Sequence, residues 1–172
     1  MKVIFLDRDG VINQDFGYLY KIKDFDFITG IFEACKYFQS LGFKIIVVTN
    51  QSGISRGYYK ETDFHILTKW MLARFYSQHV NILDVIFCPH GPNATCKCRK
   101  PKPGMLLEAR DKYGINMAES WMIGDKETDI EAANAAGVNK TILVRNGQSI
   151  EGTISKAKLV LESIKESIHF VT

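Results

Sequence analysis

The chain has 172 residues, of which 46% are hydrophobic and 24% charged, with a formal net charge of +3. That length suits one compact domain with a substantial core, so residues 1–172 are expected to form a single unit. The charge is mild and gathered around Arg99 to Lys102, which argues against a nucleic-acid groove, and no stretch approaches the roughly 20 apolar residues needed to span a bilayer.

The opening MKVIFLDRDG has only a short apolar run, Val3 to Leu6, before its acids, and lacks the long apolar stretch and cleavage site of a secretory signal. A cytoplasmic location is the expectation, and in a reducing compartment the cysteines read as metal ligands rather than disulfides. KVIFLD (2–7) is the first of several buried strands, apolar, β-branched and closed by polar residues. KIIVVTN (44–50), DVIFCP (84–89), SWMIGD (120–125) and KTILVRN (140–146) follow, and LVL (159–161) reads as a short extra strand at an edge. Helical spacing fills the intervals. Ile31, Ala34, Cys35, Phe38 and Leu41 share a face that Gly42 ends, and Phe64, Leu67, Met71 and Phe75 repeat the pattern. Pro103 opens a helix beginning near Met105, and Ile130 and Ala133 mark one after the fourth strand, closed by Gly137. The alternation predicts an α/β fold, a Rossmann-like parallel sheet with helices on both faces.

In such sheets ligands collect at the carboxyl ends of the strands, and these strands end in DRD, TNQSG, CPH and GDK. Asp7 and Asp9 are two apart, so strand periodicity predicts both side chains on one side and Arg8 pointing away. Carboxylates that close require a cation between them or a shared proton, and a hard divalent ion, Mg²⁺ above all, suits oxygen ligands. Asp125, from another strand end, supplies a third acid. The Thr49 hydroxyl, with the backbone amides of Asn50 and Gln51, can hold oxygens of an anion. Lys100, set in KPKPG between extended-biasing prolines, offers the counter-charge beside a helix N-terminus.

Cys88, His90, Cys96 and Cys98 form C-x-H, five residues, C-x-C. Three thiolates and an imidazole suit tetrahedral Zn²⁺ in a closed, structural site. Zinc there would brace a loop too short for its own core and fix where Arg99 and Lys100 point. Cys35 reads as core, and His65, His79 and His169 as surface or boundary residues.

DRDG, TNQSG, RKPKPG and GDKETD, in this order and at these strand ends, resemble the four motifs of haloacid-dehalogenase-like phosphatases, a likeness running over about residues 1–150. Within that superfamily the chain is most similar to the D-glycero-D-manno-heptose 1,7-bisphosphate 7-phosphatase family. FLDRDGVIN, DFGYLYKIKDFDFITG, VVTNQSGISRG, CRKPKPGMLLEARD and MIGDKETDIEAA carry the resemblance. It implies that Asp7 is the nucleophile on phosphorus and that Asp9 protonates the leaving oxygen and then activates water. It further implies Mg²⁺ on the Asp7 carboxylate, the Asp9 backbone carbonyl and the Asp125 carboxylate, with Thr49 and Lys100 steadying the phosphoryl group. Substrate recognition would fall on Asp15, Phe16, Gly17 and Tyr18, on Thr49, Asn50, Gln51 and Ser52, and on Arg99, Lys100 and Lys126. Arg99 would grip a second phosphate in its planar fork. Asp129 is expected behind the site, as a helix-N-terminal acid rather than a direct metal ligand.

The short zinc loop departs from the family and resembles histidinol-phosphate phosphatases, whereas the DFGY, GMLLEARD and DIEAA regions point to heptose bisphosphate. A receiver-type signalling domain would carry its phosphorylated Asp on the third strand, where this chain has a zinc ligand. A nucleic-acid end-processing phosphatase would need a basic groove. No insert after DRDG or TNQSG is large enough for a cap domain, so short loops are expected over the site of a monomer acting on a small sugar phosphate.

Overall fold

The computed structural model describes residues 1–146 and 154–172. Six strands form one parallel sheet: β1 (Val3–Leu6), β2 (Lys44–Asn50), β3 (Ile82–Cys88), β4 (Trp121–Gly124), β5 (Lys140–Val144) and β6 (Leu159–Leu161). Their order is β3-β2-β1-β4-β5-β6, so the expected edge strand is present beside β5. The helices are α1 (Ile31–Ser40), α2 (Glu61–Ser77), α3 (Gly104–Tyr113) and α4 (Glu127–Ala135).

Period-two alternation divides each central strand between two cores. Ile4 and Leu6 of β1, with Ile45 and Val47 of β2, pack on Ala34 and Phe38 of α1 and Leu67 and Met71 of α2. Val3, Phe5, Ile46 and Val48 face the other way, onto Met105, Leu106 and Ala109 of α3 and Ala132 and Ala133 of α4. Both faces of β1 are therefore buried, which is why its sequence is uniformly apolar rather than alternating.

Strand ends differ from expectation by one or two residues. β3 starts earlier, at Ile82, and stops at Cys88, because Pro89 has no N–H to donate to the ladder. Pro103 is the N-cap of α3 rather than its first helical residue. Beyond β5, the amides of Arg145 and Asn146 still bond to the carbonyls of Leu161 and Glu162. No helix among the described residues is long and apolar enough to cross a membrane.

The order matters for function. From β1 the chain builds outward through β2 and β3, then reverses to β4, β5 and β6 on the other side. This reversal opens a crevice at the carboxyl end of β1, where ligands bind in open α/β sheets. Segments after β1 and β2 run over it as turns, with a short 3-10 turn at Ile22–Asp24 and no inserted domain.

Candidate active site

At the end of β1 the Asp7 amide still donates to the Ile123 carbonyl of β4 at 3.1 Å, which fixes the base of its side chain. Lys100 reaches this point from the β3–α3 connection. Its Nζ lies 2.9 Å from Asp7 Oδ1, 2.6 Å from Asp129 Oδ1 and 2.7 Å from the Val48 carbonyl. Three acceptors match the three donors of an ammonium. Burial by itself would lower the Lys100 pKa, but Asp129 and then Asp7 outweigh it and keep the group charged.

Lys100 pairs with two of three clustered acids. Carboxylate oxygens of Asp7, Asp125 and Asp129 lie within 4.8 Å of one another. Both Asp125 oxygens are buried without a hydrogen-bond partner among the described residues. Burial, then the neighbouring Asp7 and Asp129 charges, push Asp125 up to about 8. Burial also lifts Asp7 to about 6, against the pull of Lys100. Lys126 offsets only part of this, and a bound cation would relieve the rest, so the oxygen set fits a hard divalent ion. Gly10 makes room for the Asp125 carboxylate: its φ is +86°, and a Cβ there would sit 2.1 Å from Asp125 Oδ2.

Asp129 enters the site more closely than expected. It is 1% exposed, and its second oxygen accepts the Lys126 amide at 3.1 Å, capping α4. One side chain thus ties a helix N-terminus to Lys100.

Asp9 and Arg8 depart from the expected geometry. β1 ends at Leu6 and Gly10 turns the chain, so strand periodicity no longer governs the side chains beyond it. The Asp9 carboxylate lies outside the three-acid group. Arg8 does not point away but is buried, its Nη2 donating at 2.8 Å to Asp9 Oδ1 and at 2.9 Å to the Leu19 carbonyl. Asn13 Nδ2 adds 3.0 Å to the same oxygen, and Gln51 Nε2 donates to Oδ2 at 3.1 Å. Burial alone would raise Asp9; the Arg8 guanidinium and the two amides outweigh it and hold the carboxyl below its usual range.

Behind them, Thr49 is fully buried and its Oγ1 accepts from Gln51 Nε2 at 2.9 Å. The Gln51 backbone amide, expected to hold an anion, is instead committed to the Cys88 carbonyl at 2.7 Å, because β3 runs beside it. The Asn50 side chain brackets Lys100, donating to its carbonyl at 3.1 Å and accepting its amide at 3.0 Å. Its role here is to place the lysine.

Asp7, Asp9, Asn50, Gln51, Lys100 and Asp129 line a cavity of about 460 Å³ that also takes in Asp15, Gly17, Tyr18, Ser52, Arg99 and Lys126, whereas Thr49 and Asp125 lie behind its wall. Lys126 Nζ pairs with Asp15 Oδ2 at 3.3 Å, joining α4 to the loop after β1. Arg99 leans on the His90 carbonyl at 3.2 Å. Phe16 does not join them: it is 68% exposed and lies against a separate surface depression formed by its own loop. Arg56, Tyr59 and Thr128 line the cavity and escaped sequence reasoning. Arg56 lies in SGISRG and Thr128 in GDKETD, both inside recognised motifs, but neither lies at a strand end. Arg56 stands over the Tyr18 ring at 5.7 Å, and Tyr18 itself holds a left-handed φ of 49°.

The four predicted donors of the metal loop do converge, all within 4.8 Å of one another. Cys88 Sγ is 3.8 Å from Cys96 Sγ and 3.4 Å from His90 Nδ1, which is 3.3 Å from Cys98 Sγ. Tetrahedral zinc with thiolates at about 2.3 Å has ligand–ligand edges of roughly 3.8 Å. The Cys88–Cys98 separation, 2.7 Å, is shorter than such an edge. Burial pushes the Cys88 thiol up to about 12, so a cation is what lets it ionise. The donor set fits a soft, tetrahedral ion. The Gly104 amide, at the first turn of α3, donates to the Lys97 carbonyl inside this loop at 3.0 Å, and a Cβ at Gly104 would lie 2.2 Å from that oxygen.

A family model described as HAD-hydrolase-like matches residues 97–167. The chain is 47% identical over 176 residues to a D-glycero-beta-D-manno-heptose-1,7-bisphosphate 7-phosphatase of Vibrio cholerae, covering 98% of this chain and 95% of that one. It is 46% identical to a Campylobacter jejuni enzyme named for the alpha substrate, with the same coverage. Among solved structures, a D,D-heptose 1,7-bisphosphate phosphatase from B. bronchiseptica, complexed with magnesium and phosphate, superposes with a TM-score of 0.89 at 30% identity, covering 98% of this chain and 97% of that one.

Proposed function

This chain belongs to the D-glycero-D-manno-heptose 1,7-bisphosphate 7-phosphatase family of haloacid-dehalogenase-like hydrolases, and we propose that it removes the 7-phosphate of that sugar bisphosphate on the way to nucleotide-activated heptose. The observation that carries the reading is a single cavity joining the buried Asp7–Lys100–Asp129 cluster to the more exposed cations Arg56, Arg99 and Lys126. A substrate with phosphates at both ends matches a site with charge at both depths. Similarity to heptose bisphosphatases over the full length outweighs the short metal loop, and the histidinol-phosphate reading is not favoured.

An Asp7 oxygen attacks phosphorus and the bond to the sugar oxygen breaks, its electron pair taking a proton from Asp9. Water then attacks the aspartyl-phosphate, Asp9 accepts its proton, and the bonding pair returns to the Asp7 carboxylate. The pull that keeps Asp9 ionised suits this second half. Lys100 and the Thr49 hydroxyl steady the equatorial oxygens, and positioning of this kind supplies most of the catalysis in phosphoryl transfer. Mg²⁺, held by the Asp7 and Asp125 carboxylates and the Asp9 backbone carbonyl, would neutralise charge on the transferring group. Asp15, Gly17, Tyr18, Ser52, Arg99 and Lys126 contact the sugar and its second phosphate. Cys88, His90, Cys96 and Cys98 hold structural Zn²⁺, and the protein acts as a cytoplasmic monomer.

The test is Mg²⁺-dependent phosphate release from the alpha and beta bisphosphates and from histidinol phosphate, side by side, with Asp7→Asn as control. Relatives of nearly equal identity are named for opposite anomers, so both are needed. Preference for either bisphosphate, abolished in the variant, supports the reading; preference for histidinol phosphate sinks it.

A further inference from the structure

Asp9 has two unequal oxygens. Oδ1 is saturated by Arg8 and Asn13, whereas among the described residues Oδ2 accepts only from Gln51 Nε2, at 3.1 Å, and keeps capacity for one more proton. Oδ2 is therefore the oxygen free to take a proton from water. Its direction depends on which way the Gln51 amide faces. An amide can present either its NH₂ or its carbonyl, and only the first is compatible with a carboxylate.

Tyr59 decides the matter. Its hydroxyl donates to Gln51 Oε1 at 2.5 Å, leaving the two Nε2 hydrogens for Asp9 Oδ2 and Thr49 Oγ1. Burial raises the phenol to about 12, so it remains a donor across the working pH range. The ring is locked too. It stacks on Tyr20 at 5.2 Å, and at Gly53 a Cβ would lie 2.2 Å from a ring carbon. Gln51 is 2% exposed, so no bulk water can replace the phenol.

We propose that Tyr59 is a positioning residue for hydrolysis of the covalent intermediate: through Gln51 it aims Asp9 Oδ2 at the attacking water. This rests on Asp7 as nucleophile and Asp9 as base. Water forms its bond to phosphorus, its proton passes to Asp9 Oδ2, and the phosphorus–Asp7 bond breaks with its electrons returning to Asp7. Without the phenol, Gln51 Oε1 is buried unpaired, and the amide turns to satisfy it, setting a carbonyl against a carboxylate.

p-Nitrophenyl phosphate separates the two halves, because its leaving group departs without an acid. With Tyr59→Phe, which keeps the stacked ring, release of the first equivalent of p-nitrophenol retains the wild-type rate. The steady rate that follows falls about tenfold, as for one lost buried hydrogen bond, with phosphoenzyme accumulating. First-turnover and steady rates that fall together, or neither changing, would overturn the role of Tyr59 while leaving the phosphatase reading intact. A wild-type chain that forms no covalent phosphoenzyme would overturn both.

Discussion

Asp125 has two buried oxygens with no partner among the described residues, and Asp7 shares one lysine with Asp129. Both are held above the ordinary carboxylate value of 3.8, at about 8 and about 6. In the unfolded chain these protons leave near pH 4, whereas in the folded, metal-free chain they stay on longer. Between those limits the native state binds more protons, so its stability falls as pH rises. The melting temperature of the magnesium-free chain should drop between about pH 5 and about pH 8, and Mg²⁺ should recover most of the loss at the upper end. Asp125→Asn should flatten the slope and remove the Mg²⁺ response. A wild-type profile that is flat, or that rises with pH, would contradict this account of the acid cluster.

At the level of elements, the β3–α3 connection carries both the thiol–imidazole cluster and Lys100, and few other contacts hold it. Asn50 grips the Lys100 backbone, the Gln51 amide bonds the Cys88 carbonyl, and Gly104 bonds Lys97. Removing the metal with a strong zinc chelator should lower the melting temperature by roughly 5–10 °C and reduce turnover, with recovery on Zn²⁺ but not Mg²⁺. Turnover and melting unchanged by chelation would show that the loop stands without an ion. The sequence made these elements legible because each strand is an apolar run ending in polar residues, and because C-x-H and C-x-C place donors on one short loop. The path of Arg8 was not legible. It depends on where Gly10 turns the chain and on the Leu19 carbonyl eleven residues on, and no periodicity encodes either. Arg56 and Tyr59 stayed hidden for the same reason, since they meet the cavity only after the turn following β2 closes.

Across the whole molecule, charge is graded along the cavity. The acids and Lys100 are deep, while Arg56 and Lys126 reach it from exposed positions on opposite sides of β1. Arg56→Ala should raise KM for the bisphosphate several-fold, on the order of one charge-assisted hydrogen bond, and leave KM for p-nitrophenyl phosphate unchanged. Equal effects on both substrates would place Arg56 at the transferring phosphoryl group instead.

Lys100 touches Asp7, Val48 and Asp129, positions 93, 52 and 29 residues away along the chain. No local segment can assemble that contact, and each closure waits on the sheet around it. During synthesis, a chain still lacking α4 has no partner for the lysine beyond β1 and β2. The full set of partners around the buried ammonium is therefore completed late, once Asp129 has left the ribosome and α4 has docked. The buried cation at the heart of the cavity thus marks the closing of β1, β2 and α4 around one point.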